Sequence, residues 1–363
     1  VIALAAGVTG AGIGLALRPA STSTPQSSTS NGSSSQNTGT GGSSTSGGAS
    51  GVNAAAIADS IDPSIVDVIN TLAGGSGLAE GTGIIISSSG LILTNNHVID
   101  GAQSVTVQID GQGSQLAATV VGYDPVDDVA LIKINDTSGL SLKVAPLGNS
   151  DDVTVGESVV AIGNAYGKGG TPAVVTGTVT GIDQSITASD GDSSENLTGM
   201  IQMDADIVEG DSGGPLIDSA GKIVGMDTAG SQNSASFGGQ TTTQGFAIPI
   251  NTAEQVAAQI ETGHSSGSIN VGGGPYLGIL VTESGTVEGA SVEQVEPNTP
   301  AAAAGLQAGD VITSVNGNPI TDSGDLSSAL KDLHPGDTIQ LGWIDASGQS
   351  HTGSVTLASG PPR

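Results

Sequence analysis

The chain contains no cysteine, so disulfides and thiolate chemistry are both closed to it. If it is exported, its core must supply stability without covalent staples. Aromatic residues are only 2% of the sequence and apolar residues 36%, so the core must rest on Val, Ile, Leu and Ala. Basic residues are scarce as well: seven Lys and Arg face 35 Asp and Glu, giving a formal charge of −28. Such a field repels phosphate backbones and argues against nucleic-acid binding. What the chain has in plenty is glycine, 58 residues of 363, which suits a loop-rich β protein better than a helical one. This length can hold two domains and tails.

The first stretch, 1–17, carries no charge and is small or apolar apart from Thr9. About 17 apolar residues is the short limit for a bilayer-spanning helix. The reading is a truncated membrane anchor, with a signal-peptide core or a buried helix as alternatives. Residues 18–52 follow, dominated by Ser, Thr, Gly, Asn and Gln. Such a segment buries too little surface to fold and is expected to be a disordered tether.

From about Asn53 the pattern changes. Ala54 to Ser60 suits a short helix stopped before Pro63. Short Val- and Ile-rich runs then lie between Gly, Ser and Asn turns, including Gly83–Ile86, Leu91–Thr94, Ser104–Ile109, Val129–Ile134, Ser158–Ile162, Val174–Ile182 and Ile223–Met226. Many closely spaced short strands predict a barrel or sandwich. Asn251-Thr252-Ala253-Glu254 has the pattern of a capping box, with a helix to about Glu261 after it. The expected larger domain is therefore 53–263, a Gly/Ser-rich linker covers 264–274, and a smaller unit covers 275–358. In that unit Thr299-Pro300 can start an alanine helix ending at Gly305, and Asp325 to Leu333 places Leu326, Ala329, Leu330 and Leu333 on one helical face.

The stretch with the most chemistry is Glu209-Gly210-Asp211-Ser212-Gly213-Gly214-Pro215-Leu216. A serine hydroxyl becomes a useful nucleophile only with a base to take its proton and donors for the oxyanion it creates. Flanking glycines let the backbone approach a substrate carbonyl. Upstream lie Thr94-Asn95-Asn96-His97-Val98-Ile99 and then Asp127-Asp128-Val129-Ala130-Leu131. The order His, Asp, Ser is one of the known orders for a catalytic triad. Taken singly, His97 reads as a core histidine and Asp-Ser-Gly as a plain turn; sequence adjacency leaves Asp127 and Asp128 both open.

Taken together, T-N-N-H-V-I, D-V-A-L-I-K-I, G-D-S-G-G-P-L and G-F-A-I-P-I, followed by the smaller unit, resemble the HtrA (Deg-type) family of trypsin-like serine proteases over about 62–357. The resemblance implies a mainly β fold: a trypsin-like double antiparallel β-barrel followed by an α+β PDZ domain. It implies His97 as general base, Ser212 as nucleophile, and Gly210, Asp211 and Ser212 as the oxyanion hole. The family pattern puts the catalytic carboxylate just before x-Ala-Leu, which selects Asp128 over Asp127. No cofactor is implied. The implied substrates are unfolded or misassembled extracytoplasmic proteins, the implied minimal assembly a homotrimer, and the implied setting a tether to a bacterial membrane. A non-cleaving chaperone or a PDZ-based binding protein on the same fold is the rival reading.

One departure stands out. The family commonly has Asn before the serine, whereas this chain has Asp211, as digestive trypsin-like enzymes do. In those enzymes the carboxylate pairs with a new N-terminus after zymogen cleavage. No Ile-Val-Gly-Gly activation sequence occurs here, so activity is expected without proteolytic activation. Specificity candidates are Asp206, which would favour basic residues before the scissile bond, and Ile207, Thr228 and Ala229, beside Asp227, which would line a smaller apolar pocket. The acidic run Asp190 to Asn196 lacks a full calcium loop and reads better as a mobile surface loop. Tyr276-Leu277-Gly278-Ile279 resembles the carboxylate-binding loop of PDZ domains, where backbone amides form an anion nest and a C-terminal peptide adds a strand.

Overall fold

The computed structural model describes residues 2–4, 53–72, 78–190, 193–228, 236–237, 240–241, 244–283, 287–331 and 333–362. The first barrel orders its strands Leu116–Asp124, Ala102–Ile109, Ile65–Leu72, Leu78–Ile85, Leu91–Thr94 and Val129–Ile134, and the last pairs back to the first to close the ring. The second is a closed barrel of Ser193–Met203, Gly245–Pro249, Ile223–Thr228, Pro215–Ile217, Ser158–Gly163 and Ala173–Asp190. Neighbours in both are antiparallel, as the family resemblance implies.

As the scarcity of aromatics requires, the barrels are filled mostly by non-aromatic apolar side chains. Val66, Val68, Ile85, Ile92, Val107 and Ile132 fill the first, and Val159, Met203, Leu216 and Ala247 fill the second. A third cluster runs across both, joining Ile65, Leu93 and Leu131 to Ile162, Ile217 and Ile248. Burying each such side chain contributes about 1.5–3 kcal/mol. This shared core fixes one barrel against the other and thereby positions the cleft between them.

The helix Ile250–Glu261 turns Ile250, Ala253, Val256, Ala257 and Ile260 into that shared core at helical spacing. It starts one residue before the expected cap. Asn251 is already helical; its amide donates to Ser150 Oγ (3.2 Å) and its side-chain amide to Asn149 Oδ1 (2.7 Å). A neighbouring loop supplies the acceptor that a capping box would have provided. The strand Ile65–Leu72 has no counterpart in the sequence reading, because Asp67 and Asn70 interrupt its apolar run, yet both are buried. The acidic run expected as a loop lies largely in a hairpin, with Ser193–Met203 paired to Ala173–Asp190.

The linker is more structured than its composition suggests. Asn270–Val271 adds a strand to the first barrel beside Gly122 and Tyr123. Just before it, Ser268 Oγ donates to Asp124 Oδ2 (2.8 Å).

In the C-terminal unit, Ile279–Glu283, Ala290–Val295, Val311–Val315, Thr338–Ile344 and Ser350–Thr356 form one sheet. Leu277, Ile279, Val292, Leu326, Leu330 and Trp343 pack its own core. Thr299 caps Pro300–Ala304, and Gly305 ends that helix in the left-handed region, as its sequence predicts. The second helix is Ser323–Lys331, two residues earlier than expected. Of the expected anchor, only Ile2–Leu4 is described; it is a strand running parallel to Ile279–Glu283. The rest of that segment and the tether lie outside the described residues. Among the described residues no helix is long and apolar enough to cross a membrane.

Candidate active site

His97 lies in a single helical turn, Asn96–Ile99, directly after the strand Leu91–Thr94. Val98 and Ile99 are buried in the first barrel, and the Asn70 side chain donates to the Val98 carbonyl. These contacts hold the turn while the imidazole stays 31% exposed. Asp128 comes from the loop before Val129–Ile134. Asp124 shapes that loop: its Oδ1 accepts from the amides of Val126 (2.8 Å) and Asp127 (3.4 Å). Asp128 itself has φ of 52°, a left-handed conformation that Asp tolerates better than most residues.

The two meet closely. His97 Nδ1 donates to Asp128 Oδ2 at 2.9 Å, and the His97 backbone amide donates to Oδ1 at 3.0 Å. Thr228 Oγ1, from the second barrel, donates to Oδ2 at 3.3 Å. The Asp128 backbone carbonyl accepts from Asn96 N (3.3 Å) and Asn95 Nδ2 (3.0 Å). Asp128 is 1% exposed and Asp127 is exposed, so burial separates the two neighbours that sequence left open.

Ser212 sits in a tight turn of the second barrel, 4% exposed. Gly214 N donates to Asp211 O (2.9 Å), closing the turn. Gly210 and Gly213 have φ of 93° and 85°. A Cβ on Gly210 would lie 2.1 Å from Asn164 O, and one on Gly213 2.0 Å from Thr82 O, so neither position has room for a side chain. The strand Ile223–Thr228 braces the far side: Gly213 N donates to Asp227 O (2.8 Å) and Asp227 N to Gly214 O (2.7 Å).

Thr82, from the first barrel and fully buried, ties this turn across the cleft. Its amide donates to Ser212 O (2.8 Å) and its hydroxyl to Gly210 O (2.8 Å). The same hydroxyl accepts from Asn164 N (2.9 Å), and Thr94 Oγ1 donates to the Thr82 carbonyl (2.7 Å). Tyr166 N donates to Glu209 O at 2.5 Å. The carbonyls of Glu209, Gly210, Asp211 and Ser212 are thus all engaged. In a trans peptide the amide N–H points opposite to the carbonyl, so a held Glu209 carbonyl also fixes the direction of the Gly210 N–H. Sequence reasoning missed Thr82; its signal is Gly81-Thr82-Gly83, a small-residue window inside a strand, where another backbone approaches closely.

The remaining candidates divide. Asp211 is buried, with Oδ2 accepting from Val208 N (3.0 Å). Its carboxyl is pushed up to about 6, first by burial and then by Asp206, while the Val208 bond works against the rise. Asp206 is exposed at the surface, while Ile207 is buried in the second barrel's core beside Gly245. Thr228 is buried and bonds Asp128; Ala229 lies outside the described residues. Among the described residues no cluster of His, Asp and Glu could hold a metal.

In the C-terminal unit, Leu277 and Ile279 are buried. The carbonyls of Leu277 and Gly278 accept from Ala301 N and Glu296 N, both at 2.9 Å. Tyr276 Oη donates to Glu296 Oε2. The strand Ile279–Glu283 that follows this loop pairs with Ile2–Leu4.

The chain is similar to two known domain families. The trypsin-like peptidase domain family matches residues 81–226, and the PDZ domain family matches 275–344. A protein of Pseudomonas fluorescens named a probable periplasmic serine endoprotease, DegP-like, is 41% identical over 266 residues, 70% of this chain and 51% of its own. The serine protease PepD of Mycobacterium tuberculosis is 35% identical over 314 residues, 83% of this chain and 65% of its own. The chain spans about half the length of the first of these relatives. A solved HtrA-type protease, AlgW with a tripeptide, is 30% identical and covers 85% of this chain and 98% of its own, with a TM-score of 0.47. The chain belongs to the HtrA (Deg-type) family of trypsin-like serine proteases with a C-terminal PDZ domain.

Proposed function

We propose that the chain is a serine endopeptidase that cleaves peptide bonds through an acyl-enzyme. The observation that carries this reading is the His97–Asp128 pair at 2.9 Å, set in the same cleft as a Ser212 turn whose carbonyls are all held. Asp128 binds Nδ1 of His97, which leaves Nε2 to take the Ser212 proton and later return it to the leaving amine. Ser212 attacks the carbonyl carbon, and the N–H groups of Gly210 and Ser212 receive the oxyanion; the third residue that the resemblance implies, Asp211, already donates its N–H to Val208 O (3.0 Å). Such donors lower the barrier because their direction is set before charge develops.

The exposed Asp206 and the buried Ile207 support a small or medium apolar residue before the scissile bond over a basic one. We read the substrates as unfolded or misassembled extracytoplasmic proteins, on the family resemblance; the names of the relatives add a periplasmic setting for those proteins. The Tyr276–Ile279 loop would capture C-terminal peptides or regulate the protease region. Tethering through residues 1–17 and assembly as a homotrimer complete the proposal.

Casein digestion by the full chain tests the central reading. Ser212→Ala should reduce kcat at least about 10⁴-fold while the protein stays folded. Equal digestion by both proteins would falsify the Ser212 assignment and favour a binding role.

A further inference from the structure

At the Ser212 turn lie two buried carboxyl groups, those of Asp211 and Asp227, to which the proposed chemistry gives no step. Asp227 is 0% exposed, and among the described residues neither of its carboxyl oxygens has a hydrogen-bond partner. Asp211 is 3% exposed, with Oδ1 likewise unpartnered. Asp227 is also the residue whose backbone grips Gly213 and Gly214 on either side of the turn. Among the described residues, the charges that act on this pair are acidic. Asp206 acts on Asp211 from the preceding loop, and Asp211 acts on Asp227. Exposed Glu209 belongs to the same turn, and Thr228 leads to Asp128 and His97. Among the described residues no lysine or arginine forms an ion pair with either acid.

A carboxylate buried without donors or a counter-charge cannot persist as an anion; it keeps its proton instead. Where Asp stands before the serine in digestive enzymes, an N-terminal ammonium supplies the missing charge. Here a proton can do that work.

We propose that Asp211 and Asp227 form a proton-holding acid pair that positions the Ser212 turn, with Asp227 as the neutral member, in place of a buried cation. The inference rests on the reading of Ser212 as nucleophile. While Asp227 is neutral, its strand holds Gly213 and Gly214 in place. When the pair loses its last proton, two like charges meet in a site that water does not reach, and the strand end loosens from the turn. The direction of the titration agrees: burial, then Asp211, raises Asp227 well above the ordinary carboxylate range. The pair thus sets an upper pH limit on activity that is separate from the His97 base, which must be neutral to act and so governs the acid limb. Asp211 and Asp227 act through the turn and are positioning residues.

Two measurements on the full chain test this. First, kcat/KM against pH on a peptide substrate is compared for wild type, Asp227→Asn and Asp211→Asn. Asn keeps the shape and removes the titration. Wild type should lose activity on the alkaline side by about tenfold per pH unit beyond its midpoint. Asp227→Asn should move that limb upward by at least about one pH unit and leave the acid limb in place. An alkaline limb identical in all three proteins overturns the proposal. Second, the unfolding equilibrium is followed from pH 4 to 8 in Ser212→Ala and in Ser212→Ala with Asp227→Asn. The ratio of their unfolding constants should change by up to about tenfold per pH unit, with the Asp protein weakening as pH rises. A flat ratio sinks the acid pair even if the protease reading stands. A sloping ratio in a chain without peptidase activity sustains the pair and sinks the protease reading. Should Asp227→Asn fail to fold, Asp211→Asn takes its place in both arms.

Discussion

Asp128 and Asp227 are buried almost equally, at 1% and 0% exposure, and both lie beside the cleft. Their surroundings are opposite. Asp128 accepts from the His97 amide, the His97 ring and Thr228. Among the described residues nothing donates to the Asp227 carboxyl group. Burial alone therefore does not define what an acid does. Donors turn one carboxylate into an orienting group for an imidazole, and their absence turns the other into a proton store.

The largest expected break in this comparison is Asp128→Asn. An amide would hold the wrong imidazole tautomer, and kcat should fall about 10⁴-fold with little change in KM. Next comes Thr82→Val, which keeps the shape and deletes the hydroxyl that joins Gly210 O to Asn164 N. Loss of turn alignment should cost about 10²-fold in kcat, and Thr82→Ser should recover most of it. A Thr82→Val protein with full kcat would show that the second barrel holds its turn unaided.

A smaller effect concerns stability. Burial raises Asp62, Asp67 and Asp211 to about 6 each. Between the unfolded value near 4 and the folded value near 6, the native chain binds more protons than the unfolded one. Stability contributed by these groups is greatest below about pH 4 and is lost as pH rises through about 6. The formal charge of −28 acts in the same direction through self-repulsion at neutral pH. The urea midpoint should therefore be higher at pH 5 than at pH 7; the reverse order would mean that these acids find donors in solution. The smallest effect is reserved for Asp127→Asn. Asp127 is exposed, so peptidase activity should stay within about twofold of wild type. If it matched the loss in Asp128→Asn, the burial distinction between the neighbours would have no meaning for catalysis.

The parts of the site that were legible in sequence are those made of contiguous motifs. His97 and Asp128 sit in two such motifs, and the folded chain puts them 2.9 Å apart. The Ser212 turn announced itself through its glycines. Thr82 did not, because its role depends on a contact with Gly210 that lies 128 residues away in the chain. Asp227 was visible only as a pocket neighbour, since nothing local says that it lacks donors. The strand Ile65–Leu72 escaped notice because Asp67 and Asn70 look like turn residues until the barrel closes over them. The cap of Ile250–Glu261 was misplaced for a related reason: its acceptor comes from Ser150, on a different loop. In each case, the missing information was tertiary.

The linker strand at Asn270–Val271 has a mechanical corollary. It is zipped to Gly122 and Tyr123, and Ser268 grips Asp124, the residue that shapes the loop bearing Asp128. Force on the segment between protease and PDZ regions is thus delivered within four residues of the imidazole's anchor, as a tug on a hinge pin rather than a message relayed through the barrel.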